Sequence, residues 1–256
     1  MNQAFDCSDR TALITGASSG IGYRFAKLLA AAGASVVIGA RRADLLAGLE
    51  QDIVASGGRA KAVHLDVSDE GSIIAAFDEA EMVFGPVNTV VANAGMNVPG
   101  SALGLAADGF DSINDVNFRG VFLTAREGAR RMIAAGSQGS GRGRVILVSS
   151  ITGAWVPPAA AVYAGTKAAV NQLGRALAKD WAGKGVNVNV LAPGYMMTEI
   201  NEEIWEQPMG RRLLAEFPRH RIMSASALDP MLLYLASDAS AEVTGSIFTI
   251  DDGQTL

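Results

Sequence analysis

Short runs of apolar, β-branched residues alternate along the chain with longer stretches whose apolar positions recur every three or four residues. The first pattern reads as strand buried on both faces, the second as amphipathic helix. Residues 12–15 predict a first strand, and a helix through Phe25, Leu28 and Leu29 follows a glycine-rich turn and stops at Gly33. Strands are expected over 35–38 and 60–65, with a helix over 45–54 between them. A helix over 73–83 then leads to a strand over 87–92 that ends at Asn93-Ala94-Gly95. A long helical stretch runs from about Phe110 to Ala135, and a flexible loop spans 136–141. Beyond it come a strand over 144–148, a helix over 163–182 and a strand over 186–191. Strands alternating with helices imply parallel pairing through right-handed crossovers. The expectation is one α/β domain over 1–256, a doubly wound sheet with no linker or repeat.

At 256 residues and 49% hydrophobic, such a domain can bury a sizeable core. A net charge of −5 argues against a nucleic-acid partner, which needs a basic face. Cys7 is the only cysteine, so no intrachain disulfide can form; it reads as a spectator beside a frayed terminus. The uncharged run 145–166 is long enough to suggest a membrane span, but Ser149, Ser150, Thr152, Gly153 and Pro157-Pro158 fit a strand and a loop better. Asp6 and Asp9 break any signal-peptide pattern near the start. A soluble, cytoplasmic protein is expected.

In doubly wound sheets, ligands gather beyond the carboxyl ends of the strands. The run Thr15-Gly16-Ala17-Ser18-Ser19-Gly20-Ile21-Gly22 follows a strand and opens a helix, the setting a dinucleotide fingerprint requires. Gly16 suits the tight turn, while Gly20 and Gly22 let backbone and helix approach a pyrophosphate at the helix N-terminus. At the end of the second strand, Ala40 stands where an acidic residue would bind the ribose of NAD, and Arg41 and Arg42 follow it. A guanidinium at Arg41 matches a 2′-phosphate, which favours NADP over NAD. The alternative is that both arginines only solvate a strand end. Asp66 is placed to accept from an adenine amino group or to cap a helix, although Ser68 is better placed as the cap.

Tyr163 and Lys167 lie four residues apart, so one helix face presents both, and Ser150 lies thirteen residues before the tyrosine. A free phenol titrates near 10, too high for ready exchange at neutral pH, and a neighbouring ammonium would lower it. With Ser150 holding a substrate oxygen, the set suits carbonyl reduction or alcohol oxidation beside a bound nicotinamide. Further along come Tyr195, Met196, Met197, Ile204, Trp205, Met209 and Phe217, and Trp155 and Pro157 follow Ser150. These suggest a pocket for an apolar ketone or secondary alcohol, with plain packing as the alternative. Arg211, Arg212, Arg219, His220 and Arg221 read as a solvated charged face, with attraction of a carboxylate or a phosphate-bearing carrier as the alternative, and His64 and His220 are too isolated for a metal site.

The chain resembles the short-chain dehydrogenase/reductase family over essentially its whole length, most closely the ketoreductase-like and 3-oxoacyl carrier-protein reductase-like branch. The resemblance rests on Thr15-Gly16-x-x-x-Gly20-x-Gly22, Asp66, Asn93-Ala94-Gly95, Asn117, Ser150, Tyr163-x-x-x-Lys167, Pro193-Gly194 and Thr198. It implies a Rossmann-type sheet of about seven strands in the order 3-2-1-4-5-6-7, with a substrate loop at about 195–222. It also implies Tyr163 as acid/base, Lys167 as ribose ligand and modulator, Ser150 as substrate anchor and Asn117 as holder of a water beyond Lys167. Cofactor contacts would come from Gly16, Ser18, Ser19, Gly20, Ile21, Gly22, Arg41, Arg42, Asp66, Val67, Asn93, Gly95, Tyr163, Lys167, Pro193, Gly194 and Thr198. The expected activity is NADP-dependent interconversion of a ketone and a secondary alcohol in a homotetramer, with a small-molecule substrate and neither nucleic acid nor membrane as partner. An NAD-dependent dehydrogenase oxidising a sugar or hydroxy acid is the alternative; a cofactor-binding sensor without turnover is a third. Where family members often read Asp-Gly-Gly near the C-terminus, this chain has Asp251-Asp252-Gly253, which puts the local turn in question.

Overall fold

A computed structural model describes residues 5–98, 100–156, 159–197, 205 and 207–256. The first half alternates β1 (Thr11–Thr15), α1 (Gly20–Ala31), β2 (Ser35–Ala40), α2 (Ala43–Ala55), β3 (Arg59–His64), α3 (Glu70–Phe84) and β4 (Thr89–Ala92). The second half adds α4 (Ala107–Asn114), a π-helical segment (Asp115–Gly120), α5 (Val121–Ala134), α6 (Ser137–Ser140), β5 (Gly143–Val148), α7 (Ala161–Trp181) and β6 (Val186–Pro193). It closes with α8 (Pro208–Glu216), α9 (Asp229–Ala236) and β7 (Ile247–Ile250). The seven strands pair in parallel in the order β3-β2-β1-β4-β5-β6-β7. This is the Rossmann-type order that the resemblance implied.

Alternation along each strand explains the unbroken apolar runs. Ile14, Val36, Ile38 and Val91 face one layer with Phe25 and Leu29 of α1 and Leu232 of α9. Leu13, Val37, Val90 and Val145 face the other, with Phe77 of α3, Ala125 of α5 and Val170 of α7. Both faces are covered, so the strands read as nearly continuous apolar runs, with Asn187 and Asn189 of β6 the clearest polar alternates.

Three sequence expectations change. The stretch 136–141 is no flexible loop: α6 is a helical turn between Gly136 and Gly141, both left-handed. Cys7 belongs to the core, not to a frayed end, and burial pushes its thiol up to about 11. α3 is capped by neither Asp66 nor Ser68. Asp69 accepts from the Gly71 N–H at 2.8 Å, and Asp66 accepts from the Ser68 N–H and hydroxyl at 3.0 and 2.7 Å. The cap falls where the chain turns into the helix, three residues beyond Asp66. No helix among the described residues is long and apolar enough to cross a membrane.

Candidate active site

The carboxyl ends of β1, β4, β5 and β6 bring the sequence-predicted residues to one edge of the sheet. Gly16 leaves β1 at φ +69°, and a Cβ there would stand 2.8 Å from the Ala94 Cα, so only glycine lets the loops after β1 and β4 meet. Thr15 locks that junction: its hydroxyl accepts from the N–H groups of Asn93 and Ala94, each at 3.0 Å. The Asn93 amide donates to Thr15 O at 2.9 Å, so Asn93 shapes the cradle by tying two strand ends together. Thr15 was visible in the motif, but only the packing reveals this task.

Gly20 begins α1 at φ +57° with open space where a side chain would be. Ser19 precedes it without making a side-chain cap, and the first turn of α1 carries no acidic residue. The helix therefore presents uncapped N–H groups and its positive end to that space, which suits a pyrophosphate. Arg42, not Arg41, reaches across to this loop. It donates to Ser18 Oγ from Nε and Nη2 at 3.0 and 2.7 Å, and to Ser19 Oγ at 2.6 Å. Arg41 lies exposed on the side of Asp66. The Asp66 carboxyl is held below its usual range chiefly by the Ser68 hydroxyl, with Arg41 adding to the effect. Val67 is buried in the core, with Gly120 packed tightly against it.

Lys167 is 3% exposed and donates from Nζ to Val148 O at 3.0 Å, while its Nζ lies 5.5 Å from the centre of the Tyr163 ring. Desolvation lowers its pKa to about 8. Ser150 caps the short 3₁₀ turn Ile151–Gly153, accepting from Thr152 N–H at 3.2 Å, and its hydroxyl comes close enough to the Tyr163 phenol to favour the phenolate. Burial raises the Tyr163 pKa, and the Ser150 hydroxyl only partly opposes that rise. From the sequence, a lowering by Lys167 is expected. Here the opposing group is Ser150, because an amine buried this deeply is itself pushed toward neutrality.

Asn117 sits in the π-helical segment, fully buried. Its carboxamide accepts from Met96 N–H and donates to Met96 O, both at 2.8 Å, and donates to Thr166 Oγ1 at 3.3 Å. Thr166 in turn donates to Tyr163 O at 2.7 Å. Thr166 thus joins Asn117 to the helix that carries Tyr163, a link with no sequence signature beyond lying next to Lys167. Gly95 faces the same corner, 3.5 Å from both Asn117 Oδ1 and Lys167 Nζ for an added Cβ.

Pro193 ends β6, Gly194 N–H donates to Ile250 O at 2.8 Å, and Tyr195 follows. The Tyr195 ring is stacked on Phe217 and edge-on to Trp155 and Trp205. Burial and the nearby Tyr163 phenol raise its pKa. Thr198, Pro157, Ile204 and the side chain of Met209 lie outside the described residues. Met196 is buried and Met197 exposed. The expected basic face is partly paired, since Arg219 and Arg221 contact Asp252. Among the described residues, no three metal-ligating side chains converge.

With this geometry in place, known proteins supply the comparison. A family model described as enoyl-(acyl carrier protein) reductase matches residues 16–255. The galactitol 2-dehydrogenase (L-tagatose-forming) of Cereibacter sphaeroides is 37% identical, over 96% of this chain and 94% of its own. The chain belongs to the short-chain dehydrogenase/reductase family. Cis-4-hydroxycyclohexanecarboxylate dehydrogenase of Sinomonas cyclohexanicum is also 37% identical, over 100% of this chain and 99% of its own. A crystal structure of a gluconate 5-dehydrogenase from Burkholderia cenocepacia in complex with NADP and tartrate superposes with a TM-score of 0.91 at 34% identity, covering 98% of this chain and 97% of that one. As a member of the family, the protein is an oxidoreductase of alcohol and ketone groups that uses a nicotinamide cofactor.

Proposed function

We propose that the protein is an NADP(H)-dependent enzyme that interconverts a ketone and a secondary alcohol on a substrate with an apolar or ring-bearing face. The observation that carries this reading is the grouping of Ser150 with the Tyr163 phenol, beside Lys167 at one end and the Tyr195 cluster at the other. Support for NADP comes from Arg42 lying over Ser18 and Ser19, where a guanidinium and two hydroxyls can turn to a phosphate together. The gluconate 5-dehydrogenase relative binds NADP as well.

The nicotinamide, when bound, gives or takes the hydride. The Ser150 hydroxyl donates to the substrate oxygen, and Tyr163 passes a proton to or from that oxygen. Lys167 keeps donors for a ribose besides the one given to Val148 O. The carboxamide of Asn117 is committed to Met96 and Thr166, so any water-holding part falls to its main chain. Residues 195–222 form the substrate loop, with Trp155, Tyr195, Trp205 and Phe217 excluding water from the reacting carbon. A homotetramer in the cytoplasm completes the proposal, on family resemblance alone.

The relatives named for galactitol and gluconate favour a second reading, oxidation of a polyol or sugar acid. Screening apolar ketones, cyclic alcohols and polyols with both cofactors, by absorbance of the reduced nicotinamide, separates the two. Preference for polyols would end the apolar reading. Within that assay, Tyr163→Phe should lower turnover by about 10²- to 10⁴-fold while leaving NADPH affinity within about twofold. Substantial residual turnover would remove Tyr163 from proton transfer.

A further inference from the structure

Asp252, the residue that departs from the family's usual glycine, sits at φ +55° in the left-handed region, where a side chain carries backbone strain. It is not left to solvent. Its carboxylate accepts from Arg221 Nε and Nη2 at 2.7 and 3.1 Å, and Arg219 Nε lies 3.4 Å away. Both arginines belong to the segment that returns from α8, between Phe217, which stacks on Tyr195, and Met223, which bridges Met196.

Two residues beyond Asp252, the buried Gln254 grips Tyr195 from the other side. Tyr195 N–H donates to Gln254 Oε1 at 2.7 Å, and Gln254 Nε2 donates to Tyr195 O at 2.9 Å. The turn that presents Gln254 is tied through Asp251, whose carboxylate accepts from Gly253 N–H and the Thr255 hydroxyl. The contacts close a circuit: Tyr195 to Phe217 by stacking, Phe217 to Arg219 and Arg221 along the chain, Arg221 to Asp252 by charge, and Gln254 back to Tyr195. The ring held at the centre of this circuit feels the charge of the Tyr163 phenol, which helps raise the Tyr195 pKa after burial.

We propose that Asp252 is a positioning residue for substrate: its ion pair with Arg221 holds the Phe217–Met223 segment against Tyr195 and so sets the aromatic wall of the pocket. The inference rests on the proposed placement of substrate beside Tyr195. An exposed ion pair holding no such wall would add little to stability and nothing to catalysis. The strained backbone at Asp252 gains its compensation from the two guanidiniums, which glycine would not attract.

The test uses Asp252→Asn, which keeps the shape and tolerates the left-handed backbone, with Arg221→Gln and the double variant. Tryptophan fluorescence of the cofactor-free protein reports Trp155 and Trp205 around Tyr195, independently of turnover. Each single variant should shift the emission and raise KM for the fastest-reacting alcohol of the panel about fivefold or more. The kcat and the KM for cofactor should stay within about twofold, and the double variant should add nothing further. Titration with NaCl should move wild-type emission and KM in the same direction while leaving Asp252→Asn unmoved, because salt screens the pair. Unchanged emission and KM in both single variants, or additive effects in the double, would overturn the proposal. A salt-sensitive emission without turnover of any alcohol would instead sink the functional reading and leave the clamp standing.

Discussion

Lys167 is a cation built into a place that water scarcely reaches, and its chemistry follows from that. Its pKa falls from an ordinary 10.5 to about 8 by desolvation. The unfolded chain therefore takes up a proton below about 10.5, and the folded chain only below about 8. Between these values the unfolded state binds more protons, so stability rises with pH across the window. The contribution is complete above the upper value and is lost as pH falls through the lower one. Thermal unfolding of the cofactor-free protein, set against Lys167→Met from pH 7 to 10, should show the wild type gaining on the variant above about pH 8. The full gain would be roughly 3 kcal/mol. Parallel curves would mean that the amine is not desolvated in solution. The Tyr163 pKa moves the opposite way, upward, because burial disfavours its charged phenolate as it disfavours the charged ammonium of Lys167.

At the scale of elements, what matters is where each strand lets go of the chain. β2 ends at Ala40, and the step into α2 turns Arg42 back over the loop between β1 and α1, leaving Arg41 outside. Arg42→Ala should therefore weaken NADPH by tenfold or more, as loss of a charge-assisted contact implies, and leave NADH within about twofold; fluorescence titration of both cofactors reads this. Equal losses would place the 2′-phosphate elsewhere. That a basic residue follows β2 was legible in the sequence. Which of the two arginines reaches the loop was not, because it depends on the direction in which the first residue before α2 leaves the strand. Asn117 teaches the same lesson. Periodicity showed one long helix from about 110 to 135, and the structure keeps its axis but widens it over Asp115–Gly120. A π segment breaks no hydrophobic pattern, so only the backbone over Asp115–Gly120 reveals it.

Across the whole molecule, chemistry and stability occupy opposite ends of the strands. Arg10 and Arg144, both almost fully buried, lie at the amino ends of β1 and β5. They share the single carboxylate of Asp238 with Arg142. Proximity of Arg10 and desolvation together lower the Arg144 pKa to about 10, desolvation contributing most. Removing the shared acceptor leaves buried guanidiniums under-compensated. Asp238→Ala should cost about 2 kcal/mol, discounted because Asp238 itself is largely exposed, and lower the melting temperature by about 4–8 °C. The kcat should stay unchanged, since the substitution lies at the far end of the sheet from Tyr163. A parallel fall in kcat would show that the two ends are coupled.

By itself, the order of residues determined the strand and helix sequence, the parallel sheet, the glycine cradle and the spacing of Ser150, Tyr163 and Lys167. All of these are periodic or local, set by what neighbouring side chains can bury and which backbone turns they permit. Tertiary structure alone decided that Arg42 covers the cradle, that Asn93 and Thr15 lock two strand ends, that Asp252 pairs with Arg221, and that Gln254 holds Tyr195. Each of those pairings joins positions far apart in the chain. Their energy exists only once the sheet has brought the strand ends together, and no local pattern records it.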